Sequence, residues 1–122
     1  MKHSLRGSRD FQNVYRSGKR YEGSLLTAFA LPNGFTYHRL GITASKKALG
    51  KAVDRNRAKR LLRETFRLTE IPLGGLQRKY DWVLNGRRRL ISSKVGSSVA
   101  EFERIIGAVA NDETRSNELQ SA

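Results

Sequence analysis

The feature that most constrains the fold is a basic segment over residues 46–67. It holds nine basic and two acidic side chains, a net charge of +7 over 22 residues. Within it, mostly apolar residues recur at helical spacing, namely Ala58, Leu61, Leu62, Thr65 and Phe66. This stripe predicts an amphipathic helix over about 51–68, with cationic side chains opposite it. The chain must therefore bury one side of this helix and leave the other side basic.

The composition of the whole chain narrows the class of protein. Lys and Arg number 24 against 11 Asp and Glu in 122 residues, a formal net charge of +13. Such a balance indicates a polyanionic partner: RNA, DNA or an acidic membrane surface. The sequence contains no cysteine, which excludes disulfides and thiolate zinc sites. No apolar run approaches the roughly 20 residues of a membrane span, and the start lacks a signal-peptide core. We therefore expect a soluble, cytoplasmic protein.

The remaining patterns predict the element order helix, two or three strands, helix, strand, helix. In a β-prone stretch over 19–31, Gly23 is a candidate break that would divide it into two strands, and the strand over 39–45 is expected to be its hairpin partner. A buried strand over 80–85 and a helix with a capping box at Ser98–Glu101 follow. We predict an α/β (α+β) two-layer sandwich with a mixed four-stranded sheet and three helices. One domain is expected over 1–110, with a polar, frayed tail over 111–122.

Two groups of side chains are candidates for binding. Basic and amide groups of the predicted helix can track a phosphate backbone and donate to bases; the alternative is a solvated helix face. Aromatic residues on the first helix and the following strand could stack on unpaired bases, although aromatics at helical spacing more often belong to a core. The carboxylates are scattered singly, with Glu64 expected to pair with Arg60 and Asp54 to cap the basic helix. We expect no catalytic residues, because a nuclease site needs clustered carboxylates or a His pair.

Three short motifs carry a family resemblance over about residues 5–110. Ser45-Lys46-Lys47 precedes Arg-Asn-Arg-x-Lys-Arg-x-x-Arg over 55–63, residues 9–20 form an aromatic first helix and turn, and Asp-Trp-Val-Leu occupies 81–84. This pattern resembles the protein subunit of bacterial-type ribonuclease P. Asn85-Gly86 departs from the family's small-residue-then-Arg ending, and the loop over 74–79 matches nothing in it.

The resemblance implies both a fold and a function. It implies the order αβββαβα with a left-handed βαβ crossover, as in a ribosomal protein domain. An RNA subunit, with Mg²⁺, would hydrolyse the bond that releases the 5′ leader of precursor tRNA, and the protein would bind both RNAs without a small-molecule substrate, a membrane or a tightly held metal. The residues implied to face the catalytic RNA, in a 1:1 complex, are Arg55, Asn56, Arg57, Lys59, Arg60 and Arg63. Those implied to line the leader cleft are Phe11, Tyr15 and Phe29, with Lys46 and Lys47 at its margin.

Two other function classes are alternatives, and the composition fits the first of them equally well. One is a ribosomal or RNA-chaperone protein with no role in cleavage, and only the Arg-Asn-Arg pattern and the aromatic first helix favour ribonuclease P over it. The other is a DNA-binding regulator with the basic helix in the major groove, which the predicted flanking strands disfavour.

Overall fold

The elements follow the predicted order, with two additional short helices and a 3₁₀ turn. The computed structural model describes the backbone of residues 3–121 and the side-chain surroundings of residues 3–117, so the ends of the predicted domain and tail lie outside it. The helices are α1 (Gly7–Ser17), α2 (Lys46–Leu49), α3 (Ala52–Arg67), α4 (Glu70–Gly74) and α5 (Val95–Ser121). The strands are β1 (Lys19–Glu22), β2 (Leu26–Pro32), β3 (Arg39–Thr43) and β4 (Tyr80–Gly86), and the 3₁₀ turn is Arg88–Ser92. The α+β class with a four-stranded sheet is confirmed.

The sheet has the order β1-β2-β4-β3 and is mixed. β1 and β2 are antiparallel, as are β2 and β4, whereas β3 lies parallel to β4. The prediction that β3 is the hairpin partner of β2 is therefore wrong. β4 takes the position between them because it is buried along almost its whole length, and a central place covers such a strand on both edges. The connection over 33–38 is long enough to pass over the intervening strand.

Helices cover the two faces of the sheet unequally. α3 and α5 bury the main core, in which Leu26, Leu62, Trp82, Leu84 and Phe102 are fully buried. On the opposite face α1 covers a smaller cluster around Leu5, Val14 and Val83, against which Phe11, Phe29 and Leu31 are partly buried. The packing of helices against one face of the sheet was predicted. On the other face, α1 covers only part of the sheet and leaves a cleft beside it.

The start of α5 differs from the predicted capping box. The helix begins at Val95, so Ser98 and Glu101 lie inside it rather than at its end. The Ser98 hydroxyl is 2.6 Å from the Thr65 hydroxyl and ties α5 to α3. The Glu101 carboxylate accepts hydrogen bonds from the backbone N–H groups of residues 24–26. These side chains therefore attach α5 to its neighbours instead of capping it.

Past residue 111, where the sequence predicts a polar, frayed tail, the helix α5 continues to Ser121. Asp112 accepts hydrogen bonds from Lys19 Nζ at 2.6 Å and from the Tyr21 hydroxyl at 2.7 Å. These contacts, from Lys19 first and then Tyr21, lower the pKa of the Asp112 carboxyl. The next carboxylate, Glu113, accepts from the backbone N–H groups of residues 77–78. These contacts of Asp112 and Glu113 could not be predicted from the polar sequence of the segment, because their partners are distant in the chain.

Candidate nucleic-acid interface

The three predicted cleft aromatics come together on the α1 side of the sheet. Tyr15 and Phe29 meet edge to face with ring centroids 4.9 Å apart. Phe11 lies over Gly41, where a Cβ would come within 2.6 Å of the ring, so only glycine permits this approach. Tyr15 is 39% exposed and the two phenylalanines are half-buried. The cluster is thus partly core and partly an open aromatic surface.

A cavity of about 570 Å³ opens beside Tyr15 at the carboxyl ends of the parallel strands β3 and β4. Its lining comes from α1, both strand ends, α2 and the segment after β4: Tyr15, Thr43, Ser45, Ala48, Asn85, Gly86, Arg87 and Arg88. Parallel strands end at the same edge of a sheet, which is why side chains far apart in sequence meet there. The cavity is polar on the strand side and cationic at the arginines.

Lys46 and Lys47 lie in the chain between two residues that line this cavity, Ser45 and Ala48. Both are exposed on the short helix α2. The Ser45 hydroxyl caps α2 by accepting a hydrogen bond from the backbone N–H of Ala48 at 3.1 Å, and both of these residues line the cavity. The cap fixes the segment that presents the two ammonium groups.

The basic helix α3 presents its predicted cations to solvent. Asn56, Arg57, Arg60 and Arg63 are exposed, Arg55 and Lys59 are half-buried, and the apolar stripe faces the core. Arg63 also lines a second cavity, of about 220 Å³, together with Phe11 and Gly41. The cationic side of α3 therefore adjoins the aromatic cluster across the β3 edge.

Among the α3 cations implied to face the catalytic RNA, Arg57 differs from the others because its guanidinium has hydrogen-bond partners in the described part of the chain, which anchor it. Its Nε donates to the carbonyl of Ile91 at 2.6 Å and its Nη2 to the carbonyl of Ser93 at 3.4 Å. Among the described residues, Glu64 pairs with Arg67 and not with Arg60, so that prediction is wrong. The hydrogen bond from Arg67 lowers the pKa of the Glu64 carboxyl. Arg60 is left available for an external anion.

The N-terminus of α3 also departs from expectation. Its N-cap is Lys51, with no side-chain hydrogen bond, and Asp54 lies within the first turn. A carboxylate there still favours the helix through the macrodipole. The first turn therefore combines this acid with the cation of Arg55.

Three arginines at the cleft were missed by sequence reasoning. Arg87 and Arg88 line the cavity beside Tyr15, and the Arg20 guanidinium lies 5.9 Å from the centroid of the Phe29 ring. The run of arginines directly after a buried strand was a usable signal for the first two. No sequence signal marked Arg20, because its contact with Phe29 depends on the β1–β2 register, in which the two residues lie opposite each other.

The titratable groups offer no metal centre in the part of the chain that the structure describes. No group of three or more His, Cys, Asp or Glu there could hold a metal ion. Asp81 instead forms a two-point ion pair with Arg39, with Nε and Nη2 at 2.8 and 2.6 Å from its oxygens. None of the described helices is long and apolar enough to cross a membrane.

Comparison with known proteins gives the family. A family model described as Ribonuclease P matches residues 1–109. The chain belongs to the ribonuclease P protein family. Relatives with the name Ribonuclease P protein component include one from Dehalococcoides mccartyi, 41% identical over 108 residues, covering 87% of this chain and 82% of the relative. Another, from Alkaliphilus oremlandii, is 33% identical over 118 residues, covering 97% and 94%. A third, from Methylococcus capsulatus, is 42% identical over 85 residues, with 70% of this chain and 63% of the relative covered.

Solved structures of ribonuclease P proteins share the fold. The Staphylococcus aureus protein superimposes with a TM-score of 0.72 at 25% identity, covering 88% of this chain and 95% of that one. The Thermotoga maritima protein also has a TM-score of 0.72, at 28% identity, with coverages of 86% and 96%. As a ribonuclease P protein component, this chain is a partner of an RNA subunit in tRNA processing.

Proposed function

We propose that the chain binds the catalytic RNA of ribonuclease P through α3 and the 5′ leader of precursor tRNA in the cleft beside α1. In this role it assists the Mg²⁺-dependent endonucleolytic cut that leaves the mature tRNA 5′ end, in the cytoplasm. The observation that carries the proposal is the shared cavity of Arg63 and Phe11, which joins a cationic surface to an aromatic one. Two RNAs bound on these surfaces would be held side by side.

The exposed side of α3 suits a folded RNA because cationic side chains follow one another along it. The side chains proposed to contact the catalytic RNA are Arg55, Asn56, Arg57, Lys59, Arg60 and Arg63. Arginine offers planar, bidentate donors to phosphate oxygens, and each neutralised phosphate releases bound counterions. The protein would thereby offset the repulsion between two approaching polyanions.

The cleft suits an unpaired strand because its aromatic groups are partly open. Single-stranded RNA is bound by stacking bases on aromatic rings while cations track the backbone. Tyr15 and Phe29 offer the rings, and Arg87 and Arg88 lie in the same cleft as Tyr15. At the margin of the cleft, Lys46 and Lys47 would extend the row of cations that follows the leader. Phe11 would line the base of the cleft.

The chemistry of cleavage is assigned to the RNA subunit, which would hold the Mg²⁺ ions. The protein's described carboxylates suit a structural role: Asp81 is paired with Arg39, and Glu101 and Glu113 accept backbone N–H groups. The protein contributes binding and orientation of substrate, and raises metal affinity indirectly by bringing the two RNAs together.

Reconstitution tests the proposed function directly. The purified chain is added to a ribonuclease P RNA at limiting Mg²⁺, and release of the 5′ leader from precursor tRNA is measured. We expect the protein to stimulate release several-fold and to have no activity alone. Absence of stimulation, or cleavage by the protein without RNA, contradicts the proposal.

A substitution at Phe29 tests the leader cleft. In the reconstituted complex, Phe29→Ala should weaken binding of precursor tRNA about tenfold and spare mature tRNA, because stacking of one base contributes about 1–3 kcal/mol. Phe35→Ala is the matched control, since Phe35 is 46% exposed and lies in the β2–β3 loop. Equal losses for precursor and mature tRNA would show that Phe29 serves only the core.

A further inference from the structure

One polar side chain in the cleft is held in a defined orientation. The Asn85 Oδ1 atom accepts hydrogen bonds from the Tyr15 hydroxyl at 3.0 Å and the Thr43 hydroxyl at 2.6 Å. A separation of 2.6 Å is typical of an O–H···O bond and shorter than the usual N–H···O range. The amide oxygen, rather than the nitrogen, therefore faces the two hydroxyls.

The amide nitrogen of Asn85 is consequently the part of the side chain left for a ligand. Asn85 is half-buried, and Nδ2 has no hydrogen-bond partner among the described residues. No buried side-chain nitrogen or oxygen in the described part of the chain lacks a partner. Nδ2 must therefore reach solvent, and Asn85 lines the cavity beside Tyr15.

We propose that Asn85 determines which base the leader may carry at one position, by donating from Nδ2 to a keto oxygen of that base. This inference rests on the proposed binding of the leader in the cleft. An asparagine normally reads adenine with both its oxygen and its nitrogen, but here the oxygen is occupied by two hydroxyls. A donor placed opposite the exocyclic group can bond guanine O6 or uracil O4, whereas at that same position adenine and cytosine carry amino groups, which donate rather than accept.

A base oxygen suits this donor better than a phosphate oxygen. Arg87 and Arg88 line the same cavity, and guanidinium groups form stronger, charge-assisted bonds to phosphate than a neutral amide does. Each of these arginines donates one bond to a backbone carbonyl, of Gly23 and Leu49 respectively, which positions the group and leaves further donors. A base stacked near the Tyr15 ring would lie next to Asn85, because the two side chains are hydrogen-bonded.

The test uses the complex of this chain with a ribonuclease P RNA. Precursor tRNAs carrying each of the four bases at each leader position are bound, and affinities are divided by that of mature tRNA. We expect the wild type to favour guanine or uracil at one position by about three- to tenfold, the range for one neutral hydrogen bond. Asn85→Asp replaces the donor with an acceptor and should abolish the preference, since a carboxylate cannot donate to a keto oxygen.

Two further variants separate orientation and charge from folding. Asn111→Asp introduces the same charge at an exposed position of α5 and should keep the guanine or uracil preference. Tyr15→Phe keeps the ring but removes one of the hydroxyls that hold the amide, so the preference should shrink without inverting. Loss of preference in Asn111→Asp, or inversion in Tyr15→Phe, would count against the assignment to Asn85.

The outcomes distinguish this inference from the proposed function. If the wild type binds all four bases equally at every position, although the leader contributes to affinity, only this inference is overturned. If a methylphosphonate at one leader position abolishes the effect of Asn85→Asp while base identity has none, the acceptor is a phosphate oxygen and base reading is wrong. If precursor and mature tRNA bind equally, the proposed leader cleft itself fails.

Discussion

Glu101 is a carboxylate that the fold buries almost completely, with 4% of its surface exposed. Its oxygens accept the backbone N–H groups of residues 24–26 at 2.7–3.0 Å, together with the Ser24 hydroxyl. At Gly23 a Cβ would come within 2.4 Å of this carboxyl group, so the loop and the carboxylate fit only with glycine. The β1–β2 connection is thus closed by a side chain from α5.

Replacing this carboxylate by an amide should cost substantial stability. In Glu101→Gln one N–H donor of the amide faces backbone N–H donors, and a buried unsatisfied donor costs about 1–3 kcal/mol. We expect the midpoint of thermal unfolding to fall by several degrees. Glu103→Gln, an exposed change on the same helix, is the control and should alter the free energy of unfolding by less than about 0.5 kcal/mol. Equal effects would mean that the carboxylate is not needed.

His38 couples the fold to pH through a single ring. Its Nδ1 accepts from the backbone N–H of Tyr80 at 3.0 Å and from the Trp82 indole at 3.2 Å, and its Nε2 donates to the carbonyl of Leu73. Burial lowers the pKa of His38, and protonation of Nδ1 would also break the two accepted bonds. The folded protein therefore holds the neutral ring.

The sign of the resulting pH dependence follows from that lowered pKa. As pH falls below about 6.5, the unfolded chain takes up a proton that the folded ring resists, so the free energy of unfolding decreases until the folded pKa is passed. We expect urea unfolding to show lower stability at pH 5.5 than at pH 7.5. His38→Gln should be less stable at pH 7.5 and show a smaller change between the two pH values. An unchanged pH profile in that variant would exclude His38 as the source.

At the scale of elements, Arg57 joins α3 to the segment before α5. Because its guanidinium donates to the carbonyls of Ile91 and Ser93, Arg57→Ala should lower both the stability of the free protein, by about 1 kcal/mol, and its affinity for the RNA subunit. Arg60→Ala should lower the affinity alone, because Arg60 is exposed with no described contact. Urea unfolding and RNA titration of both variants check this. Unaltered RNA affinity in Arg57→Ala would leave it a purely structural residue.

Elements that depend on local pattern could be predicted closely. The helix predicted over 51–68 is observed as Ala52–Arg67. The prediction was close because the apolar spacing that indicates a helix is contained within the segment itself. The break at Gly23 likewise separates β1 from β2. The aromatic cluster could be named from the family resemblance, although spacing alone favoured a core.

Partner choice between elements could not be predicted in the same way. Which strand lies beside β3 depends on the burial that β4 needs, and that is a property of the assembled sheet. The same holds for Asn85, whose hydroxyl partners Tyr15 and Thr43 are 70 and 42 residues away in the chain. Local pattern thus predicted the helices and strands, and the contacts that orient site side chains required the fold.

On the scale of the whole molecule, charge is separated between two helices. α3 carries most of the cations of the 46–67 segment on its exposed side, while carboxylates of α5 are directed to donors on β1 and the neighbouring loops. These carboxylates of α5 thereby have hydrogen-bond partners within the protein, and most cations of α3 remain available to an external polyanion. Binding dominated by such contacts weakens steeply as salt rises, because released counterions must be recaptured.

The number of phosphate contacts made by α3 can therefore be measured from the salt dependence of RNA binding. In a titration of the RNA subunit over a range of salt concentrations, Arg60→Gln should reduce the slope of log affinity against log salt by about one unit, since one phosphate contact is lost. Arg104→Gln removes the same charge from an exposed position on α5 and should leave the slope unchanged. Equal reductions in both variants would mean that net charge alone, and not the placement of cations on α3, governs binding.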